Sequence, residues 1–186
     1  MDIEEEFERL VTTARKAGAA LRDAEVPYAL GGGLAAWARG GPKTEHDIDF
    51  FVKPEDVERG LAALVEAGLR AEQPLEEWLL KAYDGDVLVD LIFNPTSGAV
   101  DDELLGRAEQ LEVAAVEMPV AALEDVMTTK LLALSEQNPD MSGCLEIARS
   151  LREQIDWDEV RRRTEEAPFA AAFFTLVEEL GVVQPG

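Results

Sequence analysis

Two aspartates one residue apart, Asp47 and Asp49, stand at the head of an apolar run that reads Ile48, Phe50, Phe51 and Val52. A third, Asp90, interrupts Val87 to Phe93, which is otherwise apolar throughout. Residues two apart on a strand share a face, so Asp47 and Asp49 would repel each other where burial already disfavours charge. A carboxylate buried without a partner is costly, and no Lys or Arg lies within this strand to neutralise the pair. A divalent cation relieves both problems, being a hard, oxygen-seeking charge. Upstream lie Gly31, Gly32 and Gly33. Glycines at a helix start let the backbone approach an anion, and a helix N-terminus offers free N–H groups to phosphate oxygens. Metals held by three carboxylates would bridge such phosphates and an attacking hydroxyl, which is the chemistry of nucleotidyl transfer.

Each signal also has a plainer reading. Among 39 acidic residues an acid-x-acid triplet is cheap, as Asp84-x-Asp86 shows. Asp47 and Asp49 could be a solvated strand end, Asp90 a helix-cap acceptor or an edge-strand charge, and the glycines a simple strand-to-helix turn. It is the order that points to a site: strand, glycines, helix, strand with paired acids, helix, strand with one acid.

The elements that must position these residues are readable from periodicity. Residues 2 to 24 carry Ile3, Phe7, Leu10, Val11, Ala14 and Leu21 at helical spacing, with Asp2 as cap and Glu5 three residues on. Val26 to Leu30 reads as a strand, Leu34 to about Arg39 as a short helix, and His46 to Val52 as the next strand. Pro54, Glu55 and Asp56 open a helix with an apolar face of Val57, Leu61, Leu64 and Val65, ending near Gly68. Asp84-Gly85 between two strand-like segments is a hairpin signal. A last strand is expected near 111 to 118. Helices follow over Leu123 to Ser135, Gly143 to Ile155, Trp157 to Thr164 and Pro168 to Leu180, with Gly181 as C-cap. The reading is an α/β (α+β) fold, a mixed β-sheet flanked by helices, followed by a helical C-terminal half. Residues 1–118 form the catalytic domain and 119–186 the helical region packed on it.

Composition narrows the function. A net charge of -22 from 39 acids and 17 bases argues against broad nucleic-acid binding and favours small-molecule or protein partners, although Arg161-Arg162-Arg163 could form a local basic patch. One cysteine, Cys144, and one histidine, His46, put the usual zinc sites out of reach, so a bound metal would be Mg²⁺ or Mn²⁺ held by carboxylates. No run approaches the ~20 apolar residues of a membrane span, and the acidic start Met1-Asp2-Ile3-Glu4-Glu5-Glu6 is unlike a signal peptide, which gives a cytoplasmic expectation.

Taken together, Gly32-Gly33-Leu34-Ala35, Lys43-Thr44, Asp47-Ile48-Asp49 and Asp90 in "VLVDLIF" resemble the DNA polymerase β-like nucleotidyltransferase superfamily. The likeness is to its Gly-Gly branch of abortive-infection (AbiE-type) toxins and antibiotic nucleotidyltransferases. "LEDVMTTKLLAL" at 123–134 resembles the helix after the catalytic domain in toxin-like members, without the arginine-rich continuation those often have. The resemblance implies that Asp47, Asp49 and Asp90 hold the metals and that Asp90 helps activate the acceptor. By it, Gly32 and Gly33 hold the triphosphate, with Lys43, Thr44 and Lys130 as further nucleotide contacts. It implies Mg²⁺-dependent transfer of an NMP from an NTP such as ATP to a small-molecule, RNA or protein hydroxyl, and, for a toxin, an antitoxin partner. The alternative is a non-catalytic nucleotide sensor or interaction domain with the same fold. His46 could orient Asp47, and Trp37 and Trp78 could stack on a base.

Overall fold

The computed structural model describes residues 3–44, 47–72 and 75–184. The cap expected at Asp2 and the strand start at His46 lie outside the described residues. Helix α1 (Ile3–Asp23) buries Phe7, Leu10, Val11, Ala14, Ala17 and Leu21 along one face. Its first turn is acidic and its last turn carries Arg22, both of which suit the helix dipole. Strand β1 (Tyr28–Leu30) leads into α2 (Gly32–Ala38), then β2 (Ile48–Val52), α3 (Val57–Glu66), β3 (Arg70–Glu72), β4 (Leu79–Asp84) and β5 (Val87–Ile92). The hairpin at Asp84-Gly85 forms as expected, with Asp84 paired to Val87 and Gly85 at φ 61°.

After β5 come the short α4 (Asp102–Gly106), capped by the Asp101 side chain, and strands β6 (Glu109–Val113) and β7 (Val116–Val120). The single strand expected near 111–118 is therefore a hairpin. Its two-residue turn is Ala114-Ala115, both at positive φ (49° and 65°). Such turns normally carry Asn or Gly, so nothing in the residue types marks it. Helices α5 (Leu123–Leu132), α6 (Ser142–Leu151), α7 (Trp157–Arg163) and α8 (Pro168–Glu179) complete the chain, and Gly181 sits at φ 65° after α8. β3 and α4, three and five residues long, are too short to show a period.

All seven strands form one sheet in the order β3-β4-β5-β2-β1-β7-β6. Strand β2 lies at its centre, parallel to β5 and antiparallel to β1, while β1 pairs in parallel with β7. A central strand is buried on both faces, which explains why Ile48, Phe50, Phe51 and Val52 are all buried. Helix α5 packs on α2 and is itself surrounded by α6, α7 and α8.

The interior of α5 holds a buried charge. Asp125 is fully buried and accepts from Arg107 Nε (2.9 Å) and Nη2 (2.7 Å) and from Arg163 Nη2 (2.8 Å). One carboxylate thus ties α4, α5 and α7 together. This clamp also removes Arg163 from the basic patch considered above. Arg162 pairs with Glu159, and Arg161 pairs with Glu178 while stacking on Phe174, so each arginine is matched by the chain's own groups.

Candidate active site

The parallel pairing of β2 with β5 puts Asp49 directly opposite Asp90. Register partners point to the same face, and Asp47, two residues before Asp49, joins them there. A carboxylate oxygen from each of the three can be chosen so that all lie within 4.8 Å of one another. Asp90 is buried at 5% exposure, and its Oδ1 has no hydrogen-bond partner among the described residues. Burial, more than any neighbour, pushes the Asp90 carboxyl up to about 7. The charge of Asp47 and, more weakly, Glu76 push the same way, while Lys81 opposes them. Asp49 is likewise raised to about 7, by burial first, then Asp47, with Asp90 adding to it and Lys130 opposing. The cluster consists of acceptor-only oxygens, one of them orphaned, with too few cations nearby to balance it. That donor set fits a hard divalent cation.

The glycines serve this cluster in a specific way. Gly31 N–H donates to Asp49 O at 2.8 Å, fixing β2 against the turn. Gly32, at φ 56°, is pressed against the Asp49 side chain so closely that any Cβ would fall inside the carboxylate. A Cβ on Gly33 would meet Thr44 Cβ and Oγ1 at 2.7 Å, so the loop before β2 seats on that glycine. The two glycines let Asp49 and Thr44 approach the start of α2.

A family model described as an uncharacterised nucleotidyltransferase matches residues 7–180. The chain belongs to that nucleotidyltransferase family. It is an enzyme, a nucleotidyltransferase, and its chemistry is nucleotidyl transfer. No curated protein matches it by sequence. Among solved structures, ANT(2″)-Ia in complex with adenylyl-2″-tobramycin is 21% identical with a TM-score of 0.65, covering 88% of this chain and 98% of that one. A solution structure of the antibiotic-resistance factor ANT(2″)-Ia is also 21% identical, with a TM-score of 0.66 and coverage of 92% and 96%. A Thermotoga maritima protein described as a nucleotidyltransferase is 19% identical, with a TM-score of 0.55 and coverage of 78% and 92%. These likenesses bear on the fold, and the mixed sheet with its flanking helices agrees with them.

In this nucleotidyltransferase two hollows meet at Lys130, the half-buried cation that α5 brings to the site. One, of about 530 Å³, is polar and is bordered by Gly33, Lys43, Thr44, Asn138, Asp140, Ser142 and Glu146. The other, of about 290 Å³, lies between α5 and the ends of β2 and β5, with Asp49 and Gly32 on its wall. Lys130 makes no hydrogen bond or ion pair among the described residues, whereas Lys43 Nζ is bonded to Glu4 Oε1 (2.9 Å) and lies over the Phe7 ring. Trp37 stacks edge-to-face on Phe7, and Trp78 stands at the rim of the smaller hollow. Cys144 is buried in α6, its thiol pushed up to about 11 by burial. His46 lies outside the described residues.

Sequence reasoning missed Lys81, which the β4–β5 register places opposite Asp90. It also missed the clamp on Asp125. Both depend on pairing partners distant in sequence, and no local pattern marks either.

Proposed function

We propose that the protein transfers a nucleoside monophosphate from an NTP, with ATP the first to test, to a hydroxyl of a small molecule, with Mg²⁺ or Mn²⁺ as its metal. Asp47, Asp49 and Asp90 would hold the cation, which when bound neutralises phosphate charge and lowers the barrier to displacement. Asp90, buried and with an orphaned Oδ1 among the described residues, would take the proton of the acceptor hydroxyl as its oxygen attacks the α-phosphorus. The bond to the bridging oxygen breaks and pyrophosphate leaves. Lys130, which makes no ion pair among the described residues, supplies a point charge for the triphosphate. Thr44 and Gly33 border the polar hollow on one side of Lys130, and Gly32 borders the other. Lys43 is a weaker contact in this reading because it already engages Glu4. Residues 1–118 carry the chemistry, and 119–186 bring Lys130 over it.

The observation that carries this reading is the Asp49–Asp90 pairing with the orphaned Asp90 Oδ1, an arrangement that weakens the empty fold and suits a bound cation. It also counts against a non-catalytic sensor, which would have no use for three unneutralised acids. A small-molecule acceptor is favoured over RNA, and with it over a toxin paired with an antitoxin, because the net charge is -22 and each of Arg161, Arg162 and Arg163 already has an acidic partner. Among the described residues no helix is long and apolar enough to cross a membrane, and use of an NTP favours a cytoplasmic setting. The test is incubation with each α-labelled NTP, Mg²⁺ and fractionated cell extract. Label in a small molecule with release of pyrophosphate supports the proposal, and label in RNA or protein overturns the acceptor class.

A further inference from the structure

The hollow under α5 differs from its neighbour in chemistry. Phe51, Trp78, Ile92, Pro95, Val126 and Ala133 form most of its wall, and among the described residues its charged groups are Asp49 and Lys130. Phe51, Ile92, Pro95 and Val126 are buried residues, so this surface belongs to the fixed core of the sheet and α5. The adjoining hollow is polar, with the cations Lys43 and Lys130, the acids Asp140 and Glu146, and Thr44, Asn138 and Ser142 around it. The two share Lys130, and the smaller one reaches Asp49 directly. A polyanionic triphosphate belongs in the polar hollow. The apolar one is then left for the second substrate.

We infer that the acceptor is an uncharged, largely apolar alcohol of about bicyclic size, held under α5 with its ring system against Phe51, Trp78 and Ile92 and its hydroxyl toward Asp49. The inference rests on the nucleotidyl-transfer reading above and names its acceptor class. Size agrees, since an apolar cavity of roughly 150 Å³ takes up benzene, and this one has about 290 Å³. Charge agrees as well. A polycation would have to bury its ammonium groups against apolar rings beside Lys130, with Asp49 as the one acid among the described residues on the wall. Thr96 and Thr129 are the wall's hydroxyl groups, and Thr129 Oγ1 already lies 3.3 Å from Ser97 Oγ, so discrimination falls mainly to shape and apolar contact. A polar acceptor would instead use the open hollow beside Asp47, which Glu6, Arg9 and Asp86 border.

Two substitutions narrow the apolar hollow from exposed positions on its wall and so spare the core: Ala133→Phe at the end of α5 and Thr96→Phe after β5. Binding of naphthylmethanol, of the polycationic amino sugar neamine and of Mg²⁺ with a non-hydrolysable ATP analogue is measured by calorimetry on wild type and both variants. The expected result is that naphthylmethanol binds the wild type, neamine does not compete with it, and each variant weakens it about tenfold while leaving the ATP analogue unchanged. If the variants weaken the ATP analogue instead, the hollow houses the nucleobase and the inference falls. It falls equally if neamine displaces naphthylmethanol, or if neither variant alters alcohol binding. Failure of the underlying reading has its own signature. The wild type would then not bind the ATP analogue at all, and the acceptor role would fall with it even if the alcohol still bound.

Discussion

Asp49 and Asp90 are register partners on two parallel strands at the centre of the sheet, two acids facing the same way with Asp47 beside them. Protein interiors rarely hold such a group without compensation. Here, among the described residues, Lys130 and Lys81 are the cations at its edges, and both carboxyls are displaced upward to about 7. The cluster is therefore a source of strain in the free protein and of affinity for a cation.

The first prediction follows from the contrast with a second acid pair. Asp84-x-Asp86 has the same spacing as Asp47-x-Asp49, but Asp84 is satisfied by Lys16 Nζ at 2.8 Å and Thr13 Oγ1 at 3.2 Å on α1. Asp49→Asn should abolish transfer. Asp84→Asn should leave transfer intact and cost at most about 1 kcal/mol, as for other partly exposed ion pairs. Equal transfer rates in the two variants would show that position in the sheet does not matter.

The second concerns pH. A folded-state value of about 7 against an ordinary 3.8 means that the folded protein binds more protons than the unfolded chain between those limits. Stability without ligand should therefore rise as pH falls from about 7 toward 4, opposite to the behaviour of salt-bridged carboxylates. Asp90→Asn should flatten that slope and raise stability at pH 8 by on the order of 1 to 3 kcal/mol. Mg²⁺ with a non-hydrolysable NTP should release protons on binding and stabilise wild type more than the variant. Urea melts at pH 5 and 8 check each part. A lowered stability of the variant at pH 8 would mean that Asp90 is a satisfied structural acceptor.

The third concerns the clamp under α5. Removing one partner of a buried ion group leaves the others uncompensated, so Asp125→Ala should destabilise by about 3 to 5 kcal/mol. Replacing Arg107, Asp125 and Arg163 together with Met, Leu and Met should recover most of that loss. Thermal and chemical melts of the two variants decide it. If the triple variant is no more stable than Asp125→Ala, the clamp's geometry rather than its charge balance holds the helices.

Much of this was legible in the chain because the relevant signals are local. The apolar period of α1, the Asp-Gly turn between β4 and β5, and an aspartate inside each of two apolar strands all stand in windows of a few residues. What was not legible depended on partners far away. Asp125 reads as an ordinary first-turn acid of a helix, and only the arrival of Arg107 from α4 and Arg163 from α7 makes it a buried hub. Ala114-Ala115 carries no turn signal, because pairing of Val113 with Val116 and of the strands behind them forces two alanines to positive φ. The glycines were recognised, but the groups that press on them were not. From sequence they looked like room for a phosphate, and in the fold the nearest atoms to two of them belong to Asp49 and Thr44.

That difference supplies the last prediction, which separates packing from phosphate approach. At Gly33 the backbone is not in the left-handed region, so an alanine there meets only a lack of space, with Thr44 Cβ and Oγ1 2.7 Å from the new methyl. Gly33→Ala should push the 41–44 loop away and weaken binding of Mg²⁺ with an ATP analogue by about tenfold. Thr44→Gly in the same molecule removes the atoms that clash. If the glycine is there to seat the loop, the double variant should bind the nucleotide more tightly than Gly33→Ala alone. If it is there for the phosphate, the second change should give no recovery. Gly32 offers the control, because at φ 56° and against the Asp49 carboxylate an alanine is opposed by both backbone and side chain, and no change at Thr44 should restore Gly32→Ala. Calorimetric titration of the four variants, the two glycine substitutions each with and without Thr44→Gly, with circular dichroism to confirm folding, reads the result. Recovery of Gly32→Ala by Thr44→Gly would contradict the packing described for both glycines.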